Sequence, residues 1–354
     1  NGTLISGEAW TPITSIPKGT SLDGDDHNIK GIYINANSSQ EKMAFIKENY
    51  GIIKNIVIDK DCYFVTTSSS FASLLVYNRD NAKVINCINY ANVTAINETT
   101  TKWYINWHIS GLVSHNLSII KDCENYGEVY AKVGGYSVAG VCAAIDSKNS
   151  MISGCKNYGK VTGCGYDIGG VCGQGIANGS GSFGTIKSCI NYGEVSGGWK
   201  IAGIISRGYG KLSECANYGV IKSEHSEAGI INESLENTYI SNCYNFGDLY
   251  TTNRYIEAYG KPYGGVVCNN MGKISNSYNI GKCYLKKEYK GCQLFYTNTG
   301  EVENSYYLNE TLDDGTILTE EFMKSDNFLN MLGSEYVKDS SGKNNGYPML
   351  KWQK

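Results

Sequence analysis

The sequence predicts an all-β fold, a parallel β-helix (solenoid) of about ten coils with a short C-terminal helical cap. A short motif recurs about every 30 residues, and Gly, Asn and Ser turns break the segments between its copies, which leaves no room for helices. The composition agrees, because 42 Gly and 28 Tyr accompany only 18% charged residues. A coil of this length buries its apolar face only by stacking on its neighbours.

The first repeated motif runs from Cys through Asn, an aromatic residue and Gly to an apolar residue. It reads CINYANV, CENYGEV, CKNYGKV, CINYGEV, CANYGVI, CYNFGDL and SYNIGKC, from Cys87, Cys123, Cys155, Cys189, Cys215, Cys243 and Ser277. An aliphatic residue precedes each start by three positions, and degenerate copies lie at Ile29/Ile32, Ile53/Ile56 and Val302/Ser305. The anchors are 24 to 36 residues apart. A leucine-rich repeat needs a tighter period, whereas a β-helix lets loops leave at any corner.

A second block lies between the anchors and consists of a small residue, usually Gly, followed by two apolar residues. It reads SGLV at 110–113, AGVC at 139–142, GGVC at 169–172, AGII at 202–205, AGII at 228–231 and GGVV at 264–267. Each period therefore holds two or three short strands.

The 13 cysteines are predicted to be mostly free, buried thiols rather than a metal or catalytic set. They share their columns with Val and Ile, and no C-x-x-C pair is present. Same-column disulfides fit poorly, because in-register strands lie about 4.8 Å apart whereas bonded Cβ atoms lie about 3.8 Å apart. Some disulfide pairing remains open, and no cofactor is expected.

Three further columns follow each cysteine. Asn two positions later is expected to form a hydrogen-bonded ladder at a corner. Gly after that is expected to supply a positive φ. Between them lies an aromatic column, which either packs on itself or stacks on sugars, and which reads Tyr90, Tyr126, Tyr158, Tyr192, Tyr218 and Phe246.

These blocks resemble the GLUG-motif repeats of bacterial surface and secreted proteins. The segments from Trp10-Thr-Pro-Ile and from Leu22 to Tyr33 are similar to the start of such modules, and Asn344 to Trp352 is similar to their end. The resemblance implies a right-handed β-solenoid on large proteins of Gram-positive and gut-dwelling bacteria, often beside adhesion modules or immunoglobulin A peptidases. It supplies no catalytic residues.

Composition and motifs exclude several function classes. The net charge of −3 offers no field for nucleic acid, and no apolar run approaches the ~18 residues that membrane insertion requires. H-E-x-x-H and G-x-S-x-G are missing, and His108 and His115 lack a third metal ligand nearby in sequence. Asp146, Asp167, Glu194 and Glu214 fall in unrelated columns. The alternative is a carbohydrate-active β-helix enzyme, a polysaccharide lyase or glycoside hydrolase, since such enzymes use this scaffold.

We therefore expect a non-enzymatic module that lies outside the bacterium or on its surface, in a mature form lacking a signal peptide, and that binds a glycan or a host or cell-surface protein. As an isolated domain it is expected to be a monomer. We expect the β-helix to span 1–312, with N-terminal coils at 1–60, and a C-terminal cap to span 313–354. In the cap, Thr319 is the predicted N-cap of a helix of about 14 residues, followed by a terminal strand.

Two insertions are the predicted binding loops. Val93 to Leu112 is 19 residues and Leu249 to Val266 is 17, whereas the matching segments of four other coils are 9 to 12 residues. Exposed aromatic side chains make binding hot spots or stack on sugars. The candidates are Trp103, Tyr104, Trp107, Arg254, Tyr255, Tyr259 and Tyr263. The alternative is that these rings fold back over neighbouring coils.

Overall fold

The computed structural model describes residues 10–36, 42–67, 70–96, 105–132, 135–175, 184–251, 263–285, 288–289, 292–313 and 315–354. These residues form a parallel β-solenoid whose coils stack in register, as the sequence predicts. Four sheets contain ten strands each and a fifth contains seven, so the ten predicted coils are confirmed. Within the described ranges no helix combines the length and the apolar character needed to cross a bilayer.

We label the sheets A to E, and number the coils 1 to 10 by their strand in sheet A. Sheet A contains Ile13–Ile16, Ile46–Asn49, Leu75–Asn78, Val113–Asn116, Cys142–Ile145, Cys172–Gly175, Ile205–Gly208, Ile231–Ser234, Val267–Asn270 and Phe295–Asn298. Sheet B contains Ser21–Asp23, Ile52–Lys54, Lys83–Ile85, Ile119–Lys121, Met151–Ser153, Thr185–Lys187, Lys211–Ser213, Tyr239–Ser241, Lys273–Ser275 and Glu301–Glu303.

The remaining sheets are built from shorter strands. Sheet C contains Asn28–Ile29, Val57–Ile58, Ile88–Asn89, Glu124–Asn125, Lys156–Asn157, Ile190–Asn191, Ala216–Asn217, Tyr244–Asn245, Tyr278–Asn279 and Tyr306–Tyr307. Sheet D contains Tyr33–Ala36, Tyr63–Thr66, Val93–Ala95, Val129–Ala131, Val161–Gly163, Val195–Gly197, Ile221–Ser223, Leu249–Thr251, Cys283–Leu285 and the antiparallel Glu288–Tyr289. Sheet E contains Phe71–Ala72, Ile105–Ser110, Gly135–Ala139, Asp167–Gly169, Lys200–Ala202, Ser226–Ala228 and Tyr263–Gly264.

The cysteine columns point into the core. Cys87, Cys123, Cys155, Cys189, Cys215 and Cys243 are fully buried among Val and Ile side chains. Eleven of the 13 cysteines are free, as predicted, and Cys164 is the exposed one among them. Cys283 and Cys292 form a disulfide, a pairing that the column argument did not anticipate because the two residues belong to different columns.

The asparagine ladder is present as predicted. From Asn89 to Asn245, each buried Asn donates from Nδ2 to Oδ1 of the Asn in the next coil, at 2.8–2.9 Å. Each also donates to the carbonyl two residues later, so the inward amides are satisfied. A second ladder that was not predicted lies at the sheet A–B corner, where Asn49 donates to Asn78 and Asn78 donates to Asn116.

The predicted reason for the glycine column is wrong. Gly127, Gly159, Gly193, Gly219, Gly247 and Gly281 are absent from the described positive-φ residues. They are glycine because of stacking, since a Cβ on Gly159 would lie 2.0 Å from the carbonyl oxygen of Gly127 in the preceding coil. The left-handed corner lies instead just before the cysteine, at residues that include Asn86, Asp122 and Gly154.

The register of coil 1 also differs from the prediction. Leu22 pairs with Ile53, and Asn28 pairs with Val57, so the anchor position of coil 1 is His27 rather than Ile32. The Asp25–Asp26 turn, where both residues have positive φ, lengthens this corner relative to coil 2. A two-residue insertion therefore moved the apparent apolar spacing onto the wrong residues.

The C-terminal unit, residues 315–354, contains two short helices instead of the single predicted one. Helix α1 is Glu320–Met323 with the predicted N-cap Thr319, and helix α2 is Asp326–Leu332 with N-cap Ser325. The unit also contains an antiparallel pair, Tyr336–Val337 with Met349–Leu350, and a 3₁₀ turn at Lys351–Gln353.

The C-terminal unit packs on the outer face of sheet C. Its buried residues join Tyr244 and Tyr278 of that sheet in a second apolar cluster. The Phe328 ring lies 5.8 Å from the Tyr278 ring, and the Trp352 indole N–H donates to the carbonyl of Glu214 at 3.1 Å. The described contacts thus run along the side of the solenoid over its C-terminal coils, which the prediction of an end cap did not foresee.

Candidate functional site

The predicted binding residues have separate fates. Trp103, Tyr104, Arg254, Tyr255 and Tyr259 lie outside the described residues. Trp107 is only 5% exposed and belongs to the main core. Tyr263 is half-buried and packs against the same core. The fold-back alternative therefore describes these last two rings, which offer little surface to a ligand.

An exposed aromatic surface does lie on the outer face of sheet C. Tyr90, Tyr126, Tyr158 and Tyr192, which we call the tyrosine row, are 36–42% exposed. The strict coil spacing places their rings face to face, with centroid distances of 4.8, 4.4 and 4.9 Å along the row. The row follows directly from the repeat, because each ring occupies the position just before the stacked glycine column.

Stacking decides how the tyrosine row can bind. Because neighbouring rings occupy the faces of Tyr126 and Tyr158, a ligand meets ring edges and hydroxyl groups there rather than open faces. Tyr126 donates its hydroxyl to Glu124, and the Glu124 carboxylate also pairs with Lys156 at 2.8 Å. Burial raises the pKa of Tyr192 to about 12, so the phenol stays protonated and can donate a hydrogen bond at neutral pH.

The tyrosine row continues into a covered region. The Tyr218 ring stacks 5.2 Å from that of Tyr192, and Phe246 stacks 5.6 Å from Tyr218. Both pack against the C-terminal unit, where Tyr347 meets Phe246 edge-on at 6.0 Å. One continuous aromatic stripe is thus half covered by the chain itself and half exposed.

A buried ion cluster lies between sheets A and E. The Lys200 ammonium lies 2.6 Å from the Glu233 carboxylate, and the Arg207 guanidinium lies 3.3 Å from the Asp167 carboxylate and 3.8 Å from that of Glu233. Ser206 donates to Asp167 at 3.0 Å. The prediction had placed Asp167 among scattered carboxylates. Only the strand register, which pairs Asp167 with Lys200 and Arg207 with Glu233, brings the four charges together.

The cluster has the components of acid–base chemistry but a closed geometry. The Asp167 side chain has no exposed surface, and burial raises its pKa while Arg207 opposes that shift. Each of the two carboxylates faces at least one cation, so neither is an uncompensated acid or base. The side chains of Lys200, Arg207 and Glu233 are 20–27% exposed, so these three could contact a ligand.

A histidine pair lies further along the same face. His115 Nδ1 lies 2.7 Å from the Asp146 carboxylate, its ring stacks 4.6 Å from that of Tyr77, and His108 meets it edge-on at 4.5 Å. Burial, with a contribution from His115, lowers the pKa of His108 to about 3, so this ring is neutral. Among the described residues no group of three or more His, Cys, Asp or Glu side chains could hold a metal ion.

Comparison with known proteins gives one structural likeness. No protein-family model matches the chain, and no curated protein matches it. The chain is similar to a crystal structure of a "putative immunoglobulin A1 protease" from Bacteroides ovatus, with 14% sequence identity and a TM-score of 0.43. The similarity covers 99% of this chain and 83% of the other. A likeness at this level concerns the fold and carries no activity across.

Proposed function

We propose that this protein is a non-catalytic β-solenoid module, secreted by a bacterium or displayed on its surface, that binds a glycan or a protein of a host or another cell. The resemblance of its repeats to GLUG motifs supports the bacterial-surface part of this proposal. The observation that carries the binding part is the tyrosine row, a run of four exposed rings on a rigid scaffold.

Several physical features make the tyrosine row suited to binding. Tyrosine offers a large apolar area with a polar end and loses little conformational entropy on binding. The stacked rings are already ordered by their neighbours in adjacent coils, so less ordering remains to be done when a partner arrives. The same stripe already holds the C-terminal unit through apolar contacts, which shows what kind of surface it presents.

The test compares substitutions within the row. Tyr158→Ala removes a central ring, whereas Tyr158→Phe keeps the stack and removes only the hydroxyl. We expect Tyr158→Ala to weaken binding to host cells or to a glycan array by about ten-fold or more, as for a hot-spot residue. Full binding by Tyr158→Ala, with an unchanged circular dichroism spectrum, would refute a role for the row. The paired variant Trp103→Ala/Tyr104→Ala tests the predicted loop in the same assay.

A carbohydrate-active enzyme remains the second candidate, and the ion cluster is the observation that favours it. Glu233 combines a partly exposed carboxylate with two neighbouring cations, an arrangement that could act on a bound polysaccharide. The test is hydrolysis or elimination on plant and host polysaccharides by the unmodified protein and by Glu233→Gln. Turnover that disappears in Glu233→Gln would replace the non-catalytic proposal.

A further inference from the structure

A pocket of about 350 Å³ lies on the sheet A–B corner of coils 8 to 10, far in sequence from the tyrosine row. Tyr239 and Asn237 form one side, Met271, Lys273 and Glu301 contribute the rest of the lining, and Gly272 and Gly300 form the floor. This volume is at the small end of ligand pockets, which run from about 300 to 1,000 Å³.

Turn lengths create this pocket. Ser234 pairs with Asn270 and Tyr239 pairs with Lys273, so coil 8 uses the four residues 235–238 where coil 9 uses only 271–272. Coil 10 again uses two residues, 299–300, between the partners of Asn270 and Lys273. The longer turn projects beside two short ones, and the step between them is the pocket.

The wall and the floor are both fixed by hydrogen bonds and close packing. Thr238 is fully buried, its N–H donates to Leu235 at 3.1 Å, and its hydroxyl donates to Gly208 at 2.9 Å. A Cβ on Gly272 would lie 2.4 Å from the Thr238 carbonyl oxygen, and one on Gly300 would lie 1.9 Å from that of Gly272. The floor is therefore bare backbone, which a ligand can approach closely.

Tyr239 differs from the other exposed tyrosines of the described chain. Its side chain is 53% exposed, more than any ring of the tyrosine row. None of the ring-stacking or cation–ring contacts described for this structure involves Tyr239, whereas Tyr63, at 49% exposure, stacks on Tyr33 at 5.6 Å. Tyr239 therefore presents an aromatic face as well as an edge beside a pocket.

The charges around the pocket select the ligand class. Lys273 is held by Glu303 at 3.0 Å and Glu301 at 3.5 Å, so two carboxylates offset one ammonium. The exposed Glu236 on the projecting turn and Lys211, the register neighbour of Tyr239, add one further charge of each sign. The surroundings are thus slightly negative, which disfavours anionic ligands such as uronic or sialic acids.

We infer that this pocket binds a neutral sugar residue of a glycan chain. The aromatic face of Tyr239 and the thioether of Met271 suit the C–H face of a pyranose ring, while Glu301 and the Asn237 amide can accept and donate hydrogen bonds to its hydroxyl groups. This inference rests on the binding role proposed above and names a ligand class and a site for it.

The experiment measures binding of soluble mannan, xylan and β-glucan by affinity electrophoresis and calorimetry, with polygalacturonate as the anionic comparison. The unmodified protein should bind at least one neutral polysaccharide and not polygalacturonate. Tyr239→Ala should weaken that binding by about ten-fold or more, and Tyr239→Phe should retain it within about three-fold. Tyr63→Ala is the matched control, an exposed tyrosine outside the pocket, and should leave binding unchanged.

Each other outcome overturns the inference in a distinct way. Equal binding by Tyr239→Ala and the unmodified protein would remove the pocket while leaving the proposed binding function intact. Preferential binding of polygalacturonate would refute the neutral-sugar class. Failure of the unmodified protein to bind any of the polysaccharides would overturn the inference, and the tyrosine-row variants on host cells would then decide whether a protein-binding function survives.

Discussion

Glu227 places a carboxylic acid inside the solenoid, in a column that four preceding coils fill with aliphatic side chains. Its strand partner is Ile201, and the same column contains Ile109, Val138 and Ile168. Glu227 has no exposed surface and its Oε1 accepts a hydrogen bond from Thr251, while Oε2 has no hydrogen-bond partner among the described residues. Burial raises the pKa of this carboxyl from 4.5 to about 8.

The raised pKa makes stability depend on pH in a defined direction. A carboxyl that is more easily protonated in the folded state costs nothing below pH 4.5, and its penalty grows as pH rises from 4.5 to about 8. Each pH unit in that window costs about 1.4 kcal/mol of unfolding free energy, so the penalty at pH 7 is roughly 3 kcal/mol.

Glu227→Gln is the sharpest test, because glutamine keeps the shape and the acceptor for Thr251 but cannot ionise. Relative to the unmodified protein, the variant should gain about 3 kcal/mol in unfolding free energy between pH 4.5 and pH 7. Any cost of the extra amide N–H groups shifts both values equally and leaves this difference intact. Denaturant unfolding followed by circular dichroism at several pH values measures it.

The control is Glu224→Gln, which removes an exposed carboxylate three residues away in the same coil. It should change the unfolding free energy by only a few tenths of a kcal/mol at every pH, as is usual for surface substitutions. A pH-independent difference between Glu227→Gln and the unmodified protein would show that Glu227 is already ionised in the folded state, and the argument from burial would be wrong.

Three further predictions concern the core, the ladder and the C-terminal unit. Thiol titration of the native protein should detect mainly Cys164, and unfolding without reductant should expose 11 thiols; fewer than about half would contradict the assignment of free thiols. Cys189→Ala should cost about 1–2 kcal/mol as a small cavity, whereas Cys189→Val should be tolerated. Asn157→Ala, which leaves the amide of Asn125 and the carbonyl of Gly159 unpaired, should cost at least about 2 kcal/mol by chemical denaturation, against little change for the exposed Asn149→Ala. Phe328→Ala should cost about 3–5 kcal/mol and raise hydrogen exchange within 318–350; unchanged exchange there would refute the packing role of this ring.

The solenoid was predictable because stacking forces equivalent residues into the same environment. Exchange of Cys with Val and Ile within a column indicated burial, and the ladder from Asn89 to Asn279 followed from one inward polar column. The Glu227 anomaly is also readable in the sequence. The residue before each small-Gly pair is Ile or Val at 138, 168 and 201, and Glu breaks this pattern at 227.

Features between columns were not predictable, because they depend on register and on chain outside the repeat. The ion cluster joins Asp167 to Arg207 across 40 residues, and no spacing in the sequence signals that contact. The Cys283–Cys292 pair lies within one coil but joins two columns. The lateral packing of the C-terminal unit has no period to reveal it.

The aromatic column shows how one repeated position acquires two roles. Tyr192 and Tyr218 are neighbours in the same column, yet Tyr192 is 42% exposed while Tyr218 packs under the C-terminal unit. The division falls where the contacts of that unit end, near Ile190 and Glu214. Because the repeat makes the rings equivalent, only the covering segment distinguishes a structural ring from an available one. A partner that binds the tyrosine row would therefore extend, over the preceding coils, the same kind of apolar contact that the chain makes with itself over the later ones.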